Sequence, residues 1–296
     1  MPFITVFTPT YNRERLLPRL FDSLTKQTFT DFEWLIVDDG STDGTSAMVD
    51  RLKAQSTFPV AYCKKANGGK HSAINTGVQI AKGDLFFFAD SDDMLPPDSL
   101  GTVVKYWNTI KGYDDFAGVC GLDGDLQGRV IGSGLPKAMI DASALEIRNL
   151  YHVTGDMKEV FRTSVLREFP FPEIPGERFC PEALIWNRIA QKYKLRYFNK
   201  IIYTADYQPS GITSQIARVR MQSPIASMMT YAEMTKYHDV PIRLRVRAAI
   251  NYWRFRCCVH HSALKGNITK VILPFYLFAP IGLAMHWMDV IKVRRN

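Results

Sequence analysis

The segment Leu85-Phe86-Phe87-Phe88-Ala89, followed at once by Asp90-Ser91-Asp92-Asp93, constrains this chain most tightly. Five apolar residues rich in aromatics are too few for an ordinary helix and read as a strand buried on both faces, as in a parallel sheet. The run ends in three carboxylates within four positions. Carboxylates that close repel one another unless cations are present. Either the cluster is a solvated strand end, or the Asp90-x-Asp92 pair holds a divalent cation such as magnesium or manganese, which one or two carboxylates usually bind. In open α/β sheets ligands bind beyond the carboxyl ends of the strands, where these acids would lie.

The preceding chain repeats the same grammar. Ile4–Thr8 is β-rich, and Leu17, Leu20, Phe21 and Leu24 then recur at helical spacing. Trp34–Val37 is a second buried-strand pattern, ending in Asp38-Asp39-Gly40-Ser41, and a helix follows from about Thr45 to Ala54. Val60–Cys63 is a third strand, and Gly68-Gly69 opens a helix through Ile74, Val78 and Ala81. Strands and helices alternating at this length imply right-handed βαβ units and a Rossmann-like first half. No G-x-G-x-x-G follows the first strand and no G-x-x-x-x-G-K-S/T occurs, which disfavours a dinucleotide dehydrogenase or a P-loop ATPase. The polar residues at strand ends are Pro9-Thr10-Tyr11, Asp38-Asp39 and Asp90 to Asp93. A carboxylate can accept from a pyrimidine imide and a tyrosine can stack on a base. Asp39 alternatively caps the next turn, and Ser41 and Thr42 read as caps.

Jointly these segments resemble the GT-A domain of family 2 glycosyltransferases. Thr8-Pro9-Thr10-Tyr11-Asn12-Arg13, Val37-Asp38-Asp39-Gly40-Ser41-Thr42-Asp43, Asn67-Gly68-Gly69-Lys70 with Asn75-Thr76-Gly77, Ala81-Lys82-Gly83-Asp84 and Ala89-Asp90-Ser91-Asp92-Asp93 match that family in order and spacing over about the first hundred residues. The resemblance implies an inverting, metal-dependent transferase that moves a sugar from a nucleotide-sugar donor, expected to be UDP-linked. It places Pro9, Tyr11 and Asp39 around the uridine, Lys70 near the nucleotide, and Asp90 and Asp92 on the manganese or magnesium ion. Acceptors in the family include growing surface polysaccharides and lipid-linked oligosaccharides.

Residues 101 to 214 are expected to complete a GT-A domain spanning 1–214 with a mixed sheet and the acceptor side. Phe116–Gly121 reads as a strand, Asp123 to Gly134 as a loop or hairpin, Glu159–Arg162 as a strand, and Tyr203 to Tyr207 as the last strand. Pro181 favours a helix start at Glu182, whose acid also suits the helix dipole. Family members carry a Glu-Asp pair here with the Asp cast as the base, whereas this chain has Glu182-Ala183. Glu182 is therefore the candidate base by resemblance, with Asp156 and Glu177 as the other acids nearby. Pro209–Thr213 reads as a covering loop or a passive connection.

Residues 215–296 read as helical. The net charge of +8 concentrates between Ile242 and Lys270, where Arg243, Arg245, Arg247, Arg254, Arg256, Lys265 and Lys270 occur without an acid. Nucleic acid or an anionic membrane could match such a tract. The uncharged run Val271–Met285, with Pro274 and Pro280, favours the membrane and leaves nucleic acid unexpected; it is shorter than the roughly 20 apolar residues of a spanning helix. A buried core segment is the alternative. Five cysteines without metal spacing and a first strand beginning at Ile4 without a signal-type stretch lead to an expectation of a reducing, cytoplasmic setting at the inner membrane face. A non-catalytic sugar-nucleotide-binding or scaffold protein, or less readily a nucleotidyltransferase, are the rival readings.

Overall fold

The computed structural model describes residues 1–206, 215–259 and 270–295, the side chains of 292–295 excepted. The expected covering loop Pro209–Thr213, together with Tyr207, His260-His261 and Lys265, lies outside the described residues. The chain divides into two compact units: Met1–Pro170 with Arg188–Gln208, and Phe171–Asn187 with Pro209–Asn296.

In the first unit, β1 (Ile4–Thr10), α1 (Leu17–Leu24), β2 (Phe32–Asp38), α2 (Thr45–Gln55), β3 (Val60–Lys64), α3 (Lys70–Ile80) and β4 (Leu85–Phe88) alternate as the hydrophobic pattern demands. α4 (Ser99–Trp107), β5 (Phe116–Gly124), β6 (Met139–Ala142), α5 (Ala144–Asn149), β7 (Met157–Arg162) and α6 (Thr163–Glu168) follow. α7 (Glu182–Ala190) starts in the second unit, and β8 (Lys194–Thr204) returns to the first. The eight strands form one sheet in the order β3-β2-β1-β4-β7-β5-β8-β6. β1 pairs in parallel with β2 and β4, and β2 with β3. β7 runs antiparallel to both β4 and β5, β5 is parallel to β8, and β6 closes the edge antiparallel to β8. The mixed sheet with flanking helices is of GT-A type.

Because both faces are covered, β1, β2 and β4 are buried along nearly their whole length and mostly apolar, and Thr5 and Glu33, a polar pair within them, hydrogen-bond to each other at 2.7 Å. Val6, Trp34, Ile36, Leu85 and Phe87 join Leu17, Leu20 and Phe21 of α1 and Leu100, Val103 and Trp107 of α4 in one buried cluster. The opposite side chains, Phe7, Phe86 and Phe88, pack among themselves with ring centroids 4.8–6.1 Å apart. Gly77 makes that packing possible: a Cβ there would stand 2.2 Å from the Phe7 ring, so α3 lies directly on β1.

Beyond residue 100 the structure differs from the sequence reading in extent. β8 runs eleven residues from Lys194, against the expected short strand from Tyr203. β7 begins at Met157, two residues before the expected start. β5 continues through Gly124 into a tight hairpin, with Asp125 N–H donating to the Arg129 carbonyl. α5 has a capping box, Ser143 accepting from Glu146 N–H while Glu146 accepts from Ser143 N–H.

The second unit contains the start of α7, then α8 (Ile216–Gln222), α9 (Pro224–Met234), α10 (Ile242–Arg256), a 3-10 turn Leu273–Phe278, and α11 (Ala279–Arg295). Its core joins Met228, Ala232, Ala249, Tyr252, Phe255, Val271 and Phe275. The apolar tail is thus split: Val271 and Phe275 are core, whereas Leu273 and Leu277 are 83% and 82% exposed and Trp287 is 65% exposed. Gly282 permits a close α10–α11 crossing, since a Cβ there would lie 2.5 Å from that of Trp253. No described helix is long and apolar enough to cross a membrane.

Candidate active site

The carboxyl ends of β1, β2 and β4 lie side by side in the sheet, so three short polar segments converge. After β1, Tyr11 is 48% exposed and Pro9 half-buried. Asn12, at φ 53°, zips this turn to the one after β2: its side-chain carbonyl accepts from Thr42 N–H, and its own N–H donates to Ser41 Oγ at 2.8 Å. Ser41 and Thr42 therefore do not cap α2, as the sequence reading had it. Asp43 holds the helix start instead, accepting from the Thr45 and Glu14 N–H groups.

Asp39 is 4% exposed and tied to the β3–α3 turn. Its Oδ1 accepts from Lys65 Nζ at 3.0 Å and Gly68 N–H at 2.9 Å, and its Oδ2 accepts from Gly69 N–H at 2.7 Å. Gly69 has φ 93°, which favours glycine. The neighbouring Asp38 accepts from Ser41 N–H and from the Tyr62 hydroxyl, and burial together with Asp38 pushes that phenol up to about 12.

α3 aims Lys70 at the end of β4, where its Nζ lies 2.8 Å from Asp90 Oδ1. Burial alone would raise the Asp90 carboxyl, but Lys70, Lys158 and Arg13 outweigh it and hold the group below its usual range. Asp92 is raised, by burial and by the Asp90 charge. Tyr203 of β8 ties the segment to the sheet: its hydroxyl accepts from Asp90 N–H and donates to Asp93 Oδ2, both at 2.8 Å. Asp93 also accepts from Asp206 N–H, yet burial lifts it to about 6. Lys158 Nζ sits 3.4 Å from the Tyr203 ring centroid.

Among the described residues no group of three acids, histidines or cysteines is arranged to hold a metal. Asp90 and Asp92 supply two hard oxygen donors whose mutual repulsion a divalent cation would relieve, and two carboxylates completed by water and phosphate oxygens suit magnesium or manganese. The donor set fits the group.

The structure brings Lys70, Asp90 and the Asp92 segment together at the end of β4 and sets Pro9, Tyr11 and Asp39 at the ends of β1 and β2. Glu182 lies in the second unit, half-buried in the first turn of α7. Glu177 caps α9, accepting from Ile225 and Ala226 N–H at 2.6 and 2.9 Å. Sequence reasoning did not single out Lys65, Lys158, Tyr203 or Asp123. For Asp123 the signal was present, an apolar strand ending in an acid, as at Asp38 and Asp90.

The family model Glycosyl transferase family 2 matches residues 5–136. The GalNAc(5)-diNAcBac-PP-undecaprenol beta-1,3-glucosyltransferase of Campylobacter jejuni is 30% identical over 256 residues, 82% of this chain and 76% of that one. The poly(ribitol-phosphate) beta-N-acetylglucosaminyltransferase TarS of Staphylococcus aureus is 30% identical over 178 residues, 57% of this chain but only 29% of its own length. A solved TarS fragment in complex with UDP-GlcNAc shares the fold at TM-score 0.61, with 19% identity over 97% of this chain and 80% of that one. A mannosyltransferase from Pyrobaculum calidifontis, in complex with GDP-Man and Mn2+, shares it at TM-score 0.55 with 18% identity, over 96% of this chain and 80% of that one. Fold and relatives together define a GT-A glycosyltransferase. The chain belongs to glycosyl transferase family 2.

Proposed function

We propose that the protein transfers a sugar from a UDP-linked donor to a hydroxyl of a saccharide or lipid-linked acceptor, with inversion at the anomeric carbon. The observation that carries this is the Asp90–Asp92 carboxylate pair, with Asp90 ion-paired to Lys70, at the end of a buried strand beside the Tyr11 and Asp39 turns. Tyr11 offers an exposed ring for a base to stack on. Asp39 retains accepting capacity on Oδ2 for a uracil imide while Lys65 beside it can donate to a uracil carbonyl. Asp90 and Asp92 would hold the divalent cation, which supplies charge neutralisation on the leaving diphosphate. Lys70 adds a fixed positive charge at the same place. Glu182 would take the proton from the acceptor hydroxyl.

The lipid-linked acceptor is supported by the Campylobacter relative, whose name includes an undecaprenol diphosphate. Exposed Leu273, Leu277 and Trp287, with Arg243, Arg247 and Lys270 also exposed, support docking of the second unit on an anionic membrane face.

The test is thermal unfolding with UDP, GDP and dTDP, with and without manganese, for the parent and for Asp92→Asn. Ligand binding to the native state raises the melting temperature by mass action. The parent should be stabilised by UDP with manganese. Asp92→Asn should melt like the parent when ligand-free, lose the manganese-dependent shift and lose turnover. Full turnover in excess chelator would refute the metal role.

A further inference from the structure

Asp123 ends β5, next to Tyr203 of β8 in the parallel register. It is 4% exposed, yet its Oδ1 has no hydrogen-bond partner among the described residues. A buried carboxylate oxygen left unpaired costs free energy, and such an atom persists where a ligand completes it. Lys158 lies one strand over on β7, opposite Gly121 of β5, with its ammonium over the Tyr203 ring. Lys158, Asp156, Asp93 and Asp90 all act electrostatically on Asp123, and its register neighbour Tyr203 bonds Asp90 N–H, so the orphaned oxygen lies at the same end of the sheet as the Asp90–Asp92 pair. Only β7 separates β5 from β4. Two strand spacings are about 10 Å, within the reach of a pyranose attached to a diphosphate held at β4.

We propose that Asp123 and Lys158 form the subsite for the hydroxyl groups of the transferred sugar, Asp123 accepting from one hydroxyl and Lys158 donating to another. This rests on the donor reading above. The chemistry selects a polyol. A phosphate would be repelled by Asp123, Asp93 and Asp156, and no set of three metal-binding side chains is assembled among the described residues. A sugar hydroxyl both donates and accepts, so it satisfies an isolated carboxylate oxygen and an ammonium at once. Tyr203 couples the two halves of the site: its ring carries Lys158 while its hydroxyl holds Asp90 N–H and Asp93.

The experiment is calorimetric titration of the full chain, with manganese, by UDP and by UDP-GlcNAc, UDP-GalNAc, UDP-glucose and UDP-galactose, for the parent, Asp123→Ala and Lys158→Met. The measured quantity is the ratio of affinities for the preferred UDP-sugar and for UDP. Each variant should lower that ratio about ten-fold, the size of one lost charge-assisted hydrogen bond, with the UDP affinity of Asp123→Ala within two-fold of the parent. Ligand-free Asp123→Ala should melt no lower than the parent, because the carboxylate gives up no internal hydrogen bond. Unchanged ratios in both variants, equal losses for UDP and UDP-sugar, or a marked fall in ligand-free melting temperature for Asp123→Ala would each overturn the subsite. If the parent itself binds no UDP, the donor reading fails and this proposal with it. UDP binding with unchanged ratios in the variants fails the subsite alone.

Discussion

Three acids compete for the role of base, and their surroundings separate them. Glu177 accepts two backbone N–H groups at the start of α9 and is committed to holding that helix. Asp156 is exposed just before β7, and Glu182 occupies the first turn of α7. In the proposed mechanism Glu182 takes the acceptor proton, its extra methylene compensating for the alanine at the next position. Proton transfer by a positioned group is worth about 10²–10⁴-fold, so Glu182→Gln should lose turnover by that order while the UDP-induced thermal shift stays parental. Parental turnover in Glu182→Gln alongside a dead Asp156→Asn would move the assignment to Asp156. At this scale the sequence was legible where an acid ends an apolar strand. It was not legible where a side chain's role depends on a partner far along the chain, as with Lys65 on Asp39 and Tyr203 on Asp93.

The strands after residue 100 bury a titratable cluster between neighbouring strands. Cys120 of β5 faces Glu159 of β7 on one side and Tyr197 of β8 on the other. Burial raises all three, and Glu159 reaches about 7 although its own backbone N–H and Lys158 oppose the shift. The native state therefore holds a proton on Glu159 that the unfolded chain releases at its ordinary carboxylate value. Stability from this group is complete below about 4.5 and is lost as pH rises through about 7. Glu159→Gln should flatten that fall and be the more stable protein at pH 8, by on the order of 2 kcal/mol after allowing for partial exposure. Urea unfolding of both chains at pH 5 to 8 checks it, and parallel pH profiles would exclude Glu159 as the source. Asp123 and Asp93, each lifted by burial to about 6, add a slope of the same sign in both proteins. This region was the less legible element set for the same reason. β7 and β8 interleave between strands distant in sequence, so their positions carry polar residues among apolar ones and break the continuous runs that marked β1, β2 and β4.

For the molecule as a whole, the proposed docking on a membrane rests on the tail. The acid-free basic tract and the apolar run are each divided by the fold. Arg245 donates to the Thr235 carbonyl and Arg254 pairs with Asp289 at 2.7 Å, so both are used inside the second unit. Arg243, Arg247 and Lys270 remain exposed, as do Leu273, Tyr276, Leu277, Ile281, Leu283, Trp287 and Met288. Water-facing apolar side chains in this number, on a short turn and a 17-residue helix, are what an interfacial segment presents to the headgroup boundary. Deleting the run would not test this cleanly, because Val271 and Phe275 belong to the core that α9 and α10 build. Substituting exposed positions does: Leu277→Glu with Trp287→Glu removes apolar surface and adds negative charge without touching that core. The parent should sediment with vesicles containing anionic lipid and release as salt is raised, since the basic contribution is screened within a Debye length of about 10 Å at 0.1 M. The double variant should stay in the supernatant at low salt, with its melting temperature and UDP-induced shift unchanged. Equal vesicle binding by the two proteins would mean that these side chains face something other than lipid.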